Sequence, residues 1–113
     1  MPPPLAQPLI DHREAIARLC ERHHVHRLEV FGSAADGRFD PERSDFDFIV
    51  SFAADMQGSK AQHYFALADE LERLLGRHVD LMADQPIRNP YFRRAVDASR
   101  RELYVRAPAQ ASG

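Results

Sequence analysis

Ser44-Asp45-Phe46-Asp47-Phe48-Ile49-Val50 is the stretch that decides the fold. It is rich in β-prone residues and alternates acid with aromatic, the period of an extended strand. Alternate side chains of a strand share a face, so Asp45 and Asp47 project together with Cα atoms roughly 7 Å apart, while Phe46, Phe48 and Val50 turn the other way into apolar packing. Like charges held side by side on a rigid strand must be neutralised by a cation, a proton or full solvation. A hard divalent ion suits them: Mg²⁺ takes oxygen ligands, keeps some of its waters and completes its shell with substrate phosphates. The alternative is an edge strand with one exposed acidic face.

Upstream, His26 to Phe31 reads as a strand that stops at Gly32, with a short turn or helix after Ser33. Glycine lets backbone approach a phosphate closely, and Ser33 adds a hydroxyl donor where unpaired N–H groups favour anions. Gly32-Ser33 alone fits an ordinary tight turn; joined to the acid pair it reads as a phosphate site facing a metal site. Downstream, Asp80 interrupts the apolar run of a third strand, Arg77 to Met82, where an acid is out of place unless the strand is exposed or the acid has a task. If that strand pairs beside the second, Asp80 shares the metal-bearing face and is placed to take a proton from an attacking hydroxyl. A half-exposed strand acid is the plainer reading of Asp80, and Asp84, in a turn, is a weaker substitute.

Around these strands the pattern is helical. An amphipathic helix capped by Asp11 is expected to run to His24, and the longest runs from Ser59 to Leu75 with Gly76 as its C-cap. A last helix is expected over Tyr91 to Arg101, with a short strand Leu103 to Val105, so the order is helix, strand, strand, helix, strand, helix, strand, an α/β layer. Residues 1 to 9, which hold four of the eight prolines, and residues 107 to 113 read as tails flanking one domain over 10 to 106. With 113 residues, 44% hydrophobic and 28% charged, the chain is expected to bury one modest core; 15 basic against 17 acidic side chains, a net charge of −2, argue against a nucleic-acid coat. The single Cys20 makes neither a disulfide nor a zinc knuckle and reads as a buried small hydrophobe in a cytoplasmic chain; no apolar run is long enough to span a bilayer.

Gly32-Ser33-Ala34-Ala35-Asp36-Gly37, Ser44-Asp45-Phe46-Asp47-Phe48 and Val79-Asp80-Leu81 together resemble the signature of the minimal nucleotidyltransferases, small members of the DNA polymerase beta-like superfamily. The likeness covers about half the chain, Val30 to Met82. It implies a twisted mixed β-sheet flanked by helices, two Mg²⁺ ions, and transfer of a nucleoside monophosphate from a nucleoside triphosphate. On that resemblance Gly32, Ser33, Arg38 and Ser44 hold ATP. Asp45 and Asp47 hold both metals, and Asp80 binds the catalytic metal and helps deprotonate the acceptor. The sequence departs from the pattern at Asp36, where the family usually has Arg or Lys; an acid there either turns to solvent, leaving Arg38 or Arg43 to supply the cation, or weakens nucleotide binding.

Stand-alone proteins of this size in the family resemble the antitoxin halves of type VII two-protein systems whose toxin is a HEPN-domain ribonuclease. That resemblance implies AMP transfer from ATP to a toxin tyrosine and a hetero-oligomer with the toxin, without direct nucleic-acid or membrane binding. A binding-only antitoxin that occludes its toxin, and nucleotidyl transfer to a small molecule or RNA end, are the competing readings. Arg88, Arg93, Arg94, Arg100, Arg101 and Arg106 form a cluster fit either to dock an acidic surface or to solvate a helix face. His23, His24 and His26 read as surface residues at a helix end, and Tyr64, Tyr91 and Tyr104 as core or interface.

Overall fold

A computed structural model describes residues 2–107. Its elements are α1 (Gln7–Asp11), α2 (Arg13–Arg22), β1 (Val25–Phe31), α3 (Ser33–Asp36), β2 (Phe46–Phe52), α4 (Lys60–Leu75), β3 (Val79–Ala83), α5 (Pro90–Ser99) and β4 (Arg101–Val105). The strands form one mixed sheet in the order β3-β2-β1-β4, with β1 antiparallel to β2 and β4 and β2 parallel to β3. This is the twisted mixed sheet with flanking helices expected from the sequence. A parallel neighbour requires a crossover, and α4 supplies it between β2 and β3.

The crossover helix is fixed at both ends by its own sequence. Ser59 Oγ accepts the Gln62 N–H at 3.2 Å, and Gly76, left-handed at φ 70°, turns its N–H back to the Glu72 carbonyl at 2.8 Å. The stripe of Leu67 and Leu71 is fully buried against the sheet. There it meets Phe46, Phe48 and Val50 of β2, Leu28 and Val30 of β1, Val79 and Leu81 of β3, and Ile16 and Cys20 of α2. Burying each such large side chain contributes about 1.5–3 kcal/mol. The phenylalanines stack, Phe39 on Phe46 at 4.8 Å between ring centroids and Phe46 on Phe48 at 6.1 Å, which stiffens β2 from behind. On the opposite face Phe31, Ile49 and Val96 form a small second cluster, with Met82 and Ile87 beside it. The two faces of the sheet are thus unequal, and the thinner one carries the acids.

Three local expectations change. The N-terminal residues are not a tail: Leu5, Ala6 and Leu9 are buried in the main core and the Ala6 N–H donates to the Ala34 carbonyl at 2.9 Å. Pro8, preset for a first helical turn, starts α1 there, so Asp11 ends one helix instead of capping the next, and its carboxylate accepts from Gln7 Nε2 at 2.8 Å. His12 stands at the N-cap of α2 without a side-chain bond. His23 is also not a surface residue, being only 6% exposed. The expected C-terminal tail lies, beyond Ala107, outside the described residues. Cys20 is fully buried as expected, and burial pushes its thiol up to about 12, away from reactive chemistry.

Candidate active site

The in-register pairing of β2 with β3 places Asp47 beside Asp80, as partners on adjacent parallel strands. Side chains paired this way share a face, so both carboxylates stand on the thinly covered side with Ile49 and Met82, opposite the phenylalanine core. Asp45 precedes β2 by one residue, is exposed, and lies 3.8 Å from Arg77 Nη2. Burial first, then the charges of Asp80 and Asp45, push Asp47 up to about 6 from the ordinary carboxylate value of 3.8. The three aspartates predicted as a set are therefore electrostatically coupled around Asp47.

Gly32 approaches this centre from β1. Its backbone sits at φ 75°, ψ −153°, a region reserved for glycine, and a β-carbon there would lie 2.9 Å from Asp47 Oδ2. The absent side chain is what lets the turn press against the carboxylate. The Gly32 N–H is held by Ser99 Oγ of α5 at 2.9 Å, and Ser33 opens the one-turn α3 with its side chain half-exposed. Phe31, Gly32, Asp36, Arg38, Phe92 and Ser99 line a cleft of about 330 Å³ beside the turn.

The remaining predicted residues serve local structure. Arg38 is exposed and clasps Asp36 through both Nε (3.0 Å) and Nη2 (2.6 Å). The guanidinium, first by hydrogen bonding, holds Asp36 below the usual carboxylate range, so the departure at Asp36 is neutralised within the turn. Ser44 Oγ accepts the Asp40 N–H at 2.9 Å and closes a loop, while its carbonyl takes Arg77 Nε at 3.0 Å and Nη2 at 2.7 Å. Three residues absent from the sequence prediction help to build the site: Arg77, Ser99, and His78, whose Nε2 meets Asp80 Oδ1 at 3.0 Å and whose Nδ1 meets Glu72 at 3.1 Å. The Asp80 hydrogen bond, above all, raises His78 from its ordinary value. Its place two residues from Asp80 on the same strand face was the available signal.

Oxygen donors on adjoining strands suit a hard cation. Among the described residues no three His, Cys, Asp or Glu side chains are gathered into a ready-made metal cage. Asp47 and Asp80 stand on one face of the sheet, with the Gly32 backbone close against Asp47.

A mixed sheet with paired strand carboxylates opposite a Gly-Ser turn defines the nucleotidyltransferase class. The chain belongs to the nucleotidyltransferase domain family, whose pattern it matches over residues 12–103. It is 34% identical over 79 residues to a Methanocaldococcus jannaschii protein named as a candidate protein adenylyltransferase, a match spanning 70% of this chain and 77% of that one. A solved structure described as a candidate minimal nucleotidyltransferase superposes with a TM-score of 0.65 at 34% identity, covering 84% of this chain and 92% of the other. The fold is also that of a Shewanella oneidensis complex of a tri-AMPylated HEPN toxin with its MNT antitoxin, at a TM-score of 0.57 and 20% identity over 87% of this chain and 73% of that one.

Proposed function

We propose that the chain is an Mg²⁺-dependent protein adenylyltransferase, transferring AMP from ATP to a tyrosine of a HEPN-domain ribonuclease toxin and so acting as that toxin's antitoxin. One observation carries the chemistry: Asp47 and Asp80 are register partners on one open face, with Gly32 pressed against Asp47. The names of the Methanocaldococcus and Shewanella proteins support protein as the acceptor and a HEPN toxin as partner.

In this reading Asp45 and Asp47 would hold two Mg²⁺ ions and Asp80 would share the catalytic one, and such ions would supply charge to balance the phosphates and the oxygens that gain charge in the transfer. The turn of Gly32 and Ser33 seats the triphosphate through backbone approach and the Ser33 hydroxyl. Arg38 joins it by exchanging Asp36 for a phosphate, and Ser44 keeps the loop before Asp45 closed. Asp80 takes the proton as the tyrosine oxygen bonds to the α-phosphorus. The bond to the β-phosphate's bridging oxygen breaks, and pyrophosphate leaves with its electron pair. Positioning does most of the work, since phosphoryl chemistry needs little covalent help from protein.

The test is intact-mass spectrometry of a HEPN-domain toxin after incubation with the chain, ATP and Mg²⁺. Added AMP masses, absent with Asp45→Asn or Asp47→Asn, are the expected result. An unchanged mass with the toxin nevertheless inhibited sinks catalysis in favour of occlusion, and labelling of RNA or an aminoglycoside instead moves the acceptor.

A further inference from the structure

His23, at the C-cap of α2, and His63, in the first turn of α4, meet on the helical side of the molecule, away from the carboxylate face. Their Nδ1 atoms stand 2.9 Å apart, and the His23 Nε2 lies 3.0 Å from Glu70 Oε2. A carboxylate accepts, so His23 donates from Nε2, and in the neutral ring its Nδ1 carries a bare lone pair. That lone pair is aimed at His63 from a ring that is 6% exposed, and it is held in place: Arg22 grips the other oxygen of Glu70 at 2.8 Å.

A carboxylate behind a histidine, fixing its tautomer and orientation, is the usual support of an imidazole that ligates a metal. Two further features converge here. His24 is the one non-glycine residue with positive φ among those described, at 58°, and its ring stands edge-on to His63 with 5.4 Å between centroids. Beside His63 Nε2 sits Gly58, where even an added β-carbon would remain 3.7 Å away. His63 can therefore move its proton from Nδ1 to Nε2 without collision, which frees a second lone pair facing the first.

We infer that His23 and His63 form a binding site for a borderline transition-metal ion of the Zn²⁺ kind, with Glu70 as the orienting carboxylate. At ordinary zinc–nitrogen lengths of about 2.0–2.1 Å, nitrogens 2.9 Å apart subtend roughly 90° at the ion, a cis arrangement that a slight spreading of α2 from α4 relaxes. Water fills the remaining positions, or His24 turns in to take one. Imidazole donors favour Zn²⁺, Ni²⁺ or copper over Mg²⁺, so this site and the aspartate face draw different ions. A bound ion here fastens α2 to α4.

The test is isothermal titration of the tag-free full chain with Zn²⁺ in excess Mg²⁺, with parallel thermal melts. The expected result is one Zn²⁺ per chain and a raised Tm. Affinity should fall at least about 100-fold in His63→Ala, and about 10–100-fold in Glu70→Gln, as for other supporting carboxylates. His78→Ala, which removes the imidazole on the aspartate face, should leave the tight site unchanged. Equal zinc affinity in wild type and His63→Ala, loss in His78→Ala instead, or no binding by a wild type that still melts cooperatively would each leave a hydrogen-bonded histidine pair only and overturn the inference.

Discussion

Replacing Asp47 by Asn should stabilise the metal-free protein at alkaline pH while removing its chemistry. Asp47 is raised from 3.8 to about 6, first by burial and then by Asp80 and Asp45. Because its folded pKa lies above its unfolded one, the native state binds more protons between those values, and stability falls as pH rises through about 4 to 6. A shift of this size corresponds to at most about 3 kcal/mol, and solvent screening of a half-buried group reduces it to about 1–2 kcal/mol. Asparagine keeps the shape and removes the charge. Urea unfolding followed by circular dichroism, without divalent ions, should then show Asp47→Asn more stable by that margin at about pH 8, converging with wild type near pH 4. Adding Mg²⁺ at the higher pH should stabilise wild type alone, by mass action on the folded state. A variant no more stable than wild type at about pH 8, or an advantage that persists unchanged into acid, would mean that the Asp47 charge costs the fold nothing.

Other perturbations probe different parts of the structure. Gly32→Ala must hold a β-carbon at φ 75° and push Asp47 aside, so it should cost about 1–3 kcal/mol in denaturant unfolding and lower nucleotidyl transfer more than stability alone explains. Arg100→Met strips buried Glu29 of a bidentate partner at 2.5 and 3.1 Å, and with Arg100 partly exposed the expected loss is about 2–3 kcal/mol, largely recovered by adding Glu29→Gln. Leu9→Ala should cost about 2–5 kcal/mol in the same assay, whereas a true tail residue would change nothing measurable.

What could be read from the sequence was local. The acid–aromatic alternation of β2 survives as an acid face and a stacked phenylalanine face, and Ser59 and Gly76 bound α4 because caps act within a few residues. What escaped depended on chain closure. The pairing that brings Asp80 to Asp47 was expected only on the condition that β3 lies beside β2, because that neighbour is chosen by where a 16-residue crossover helix returns the chain. His23 and His63 lie 40 positions apart, so His23 looked like one of three surface histidines until α2 packed on α4. Four prolines in residues 1 to 9 suggest a tail, yet Pro8 in a first helical turn is a helix former, and Leu5 and Leu9 on either side of it enter the core. Of the arginine cluster, three members hydrogen-bond through their guanidinium groups: Arg100 with Glu29, Arg101 with the Pro3 and Ala35 carbonyls, and Arg106 with Asp55, while Arg94 lies over the Tyr91 ring.

The charges around the aspartate face are balanced at every carboxylate but one. Glu29 has Arg100, Asp36 has Arg38, Asp45 has Arg77 within 3.8 Å, and Asp80 has His78. Asp47, more buried than Asp45 or Asp80 and between them, has no basic side chain within 4 Å among the described residues and carries the raised pKa. A fold under selection for stability alone would gain by losing that carboxylate, since an asparagine fits the space and carries no penalty above pH about 6. The acid makes sense where a cation arrives with the substrate and supplies the missing charge, and the stability difference between wild type and Asp47→Asn measures how much of that charge the fold withholds.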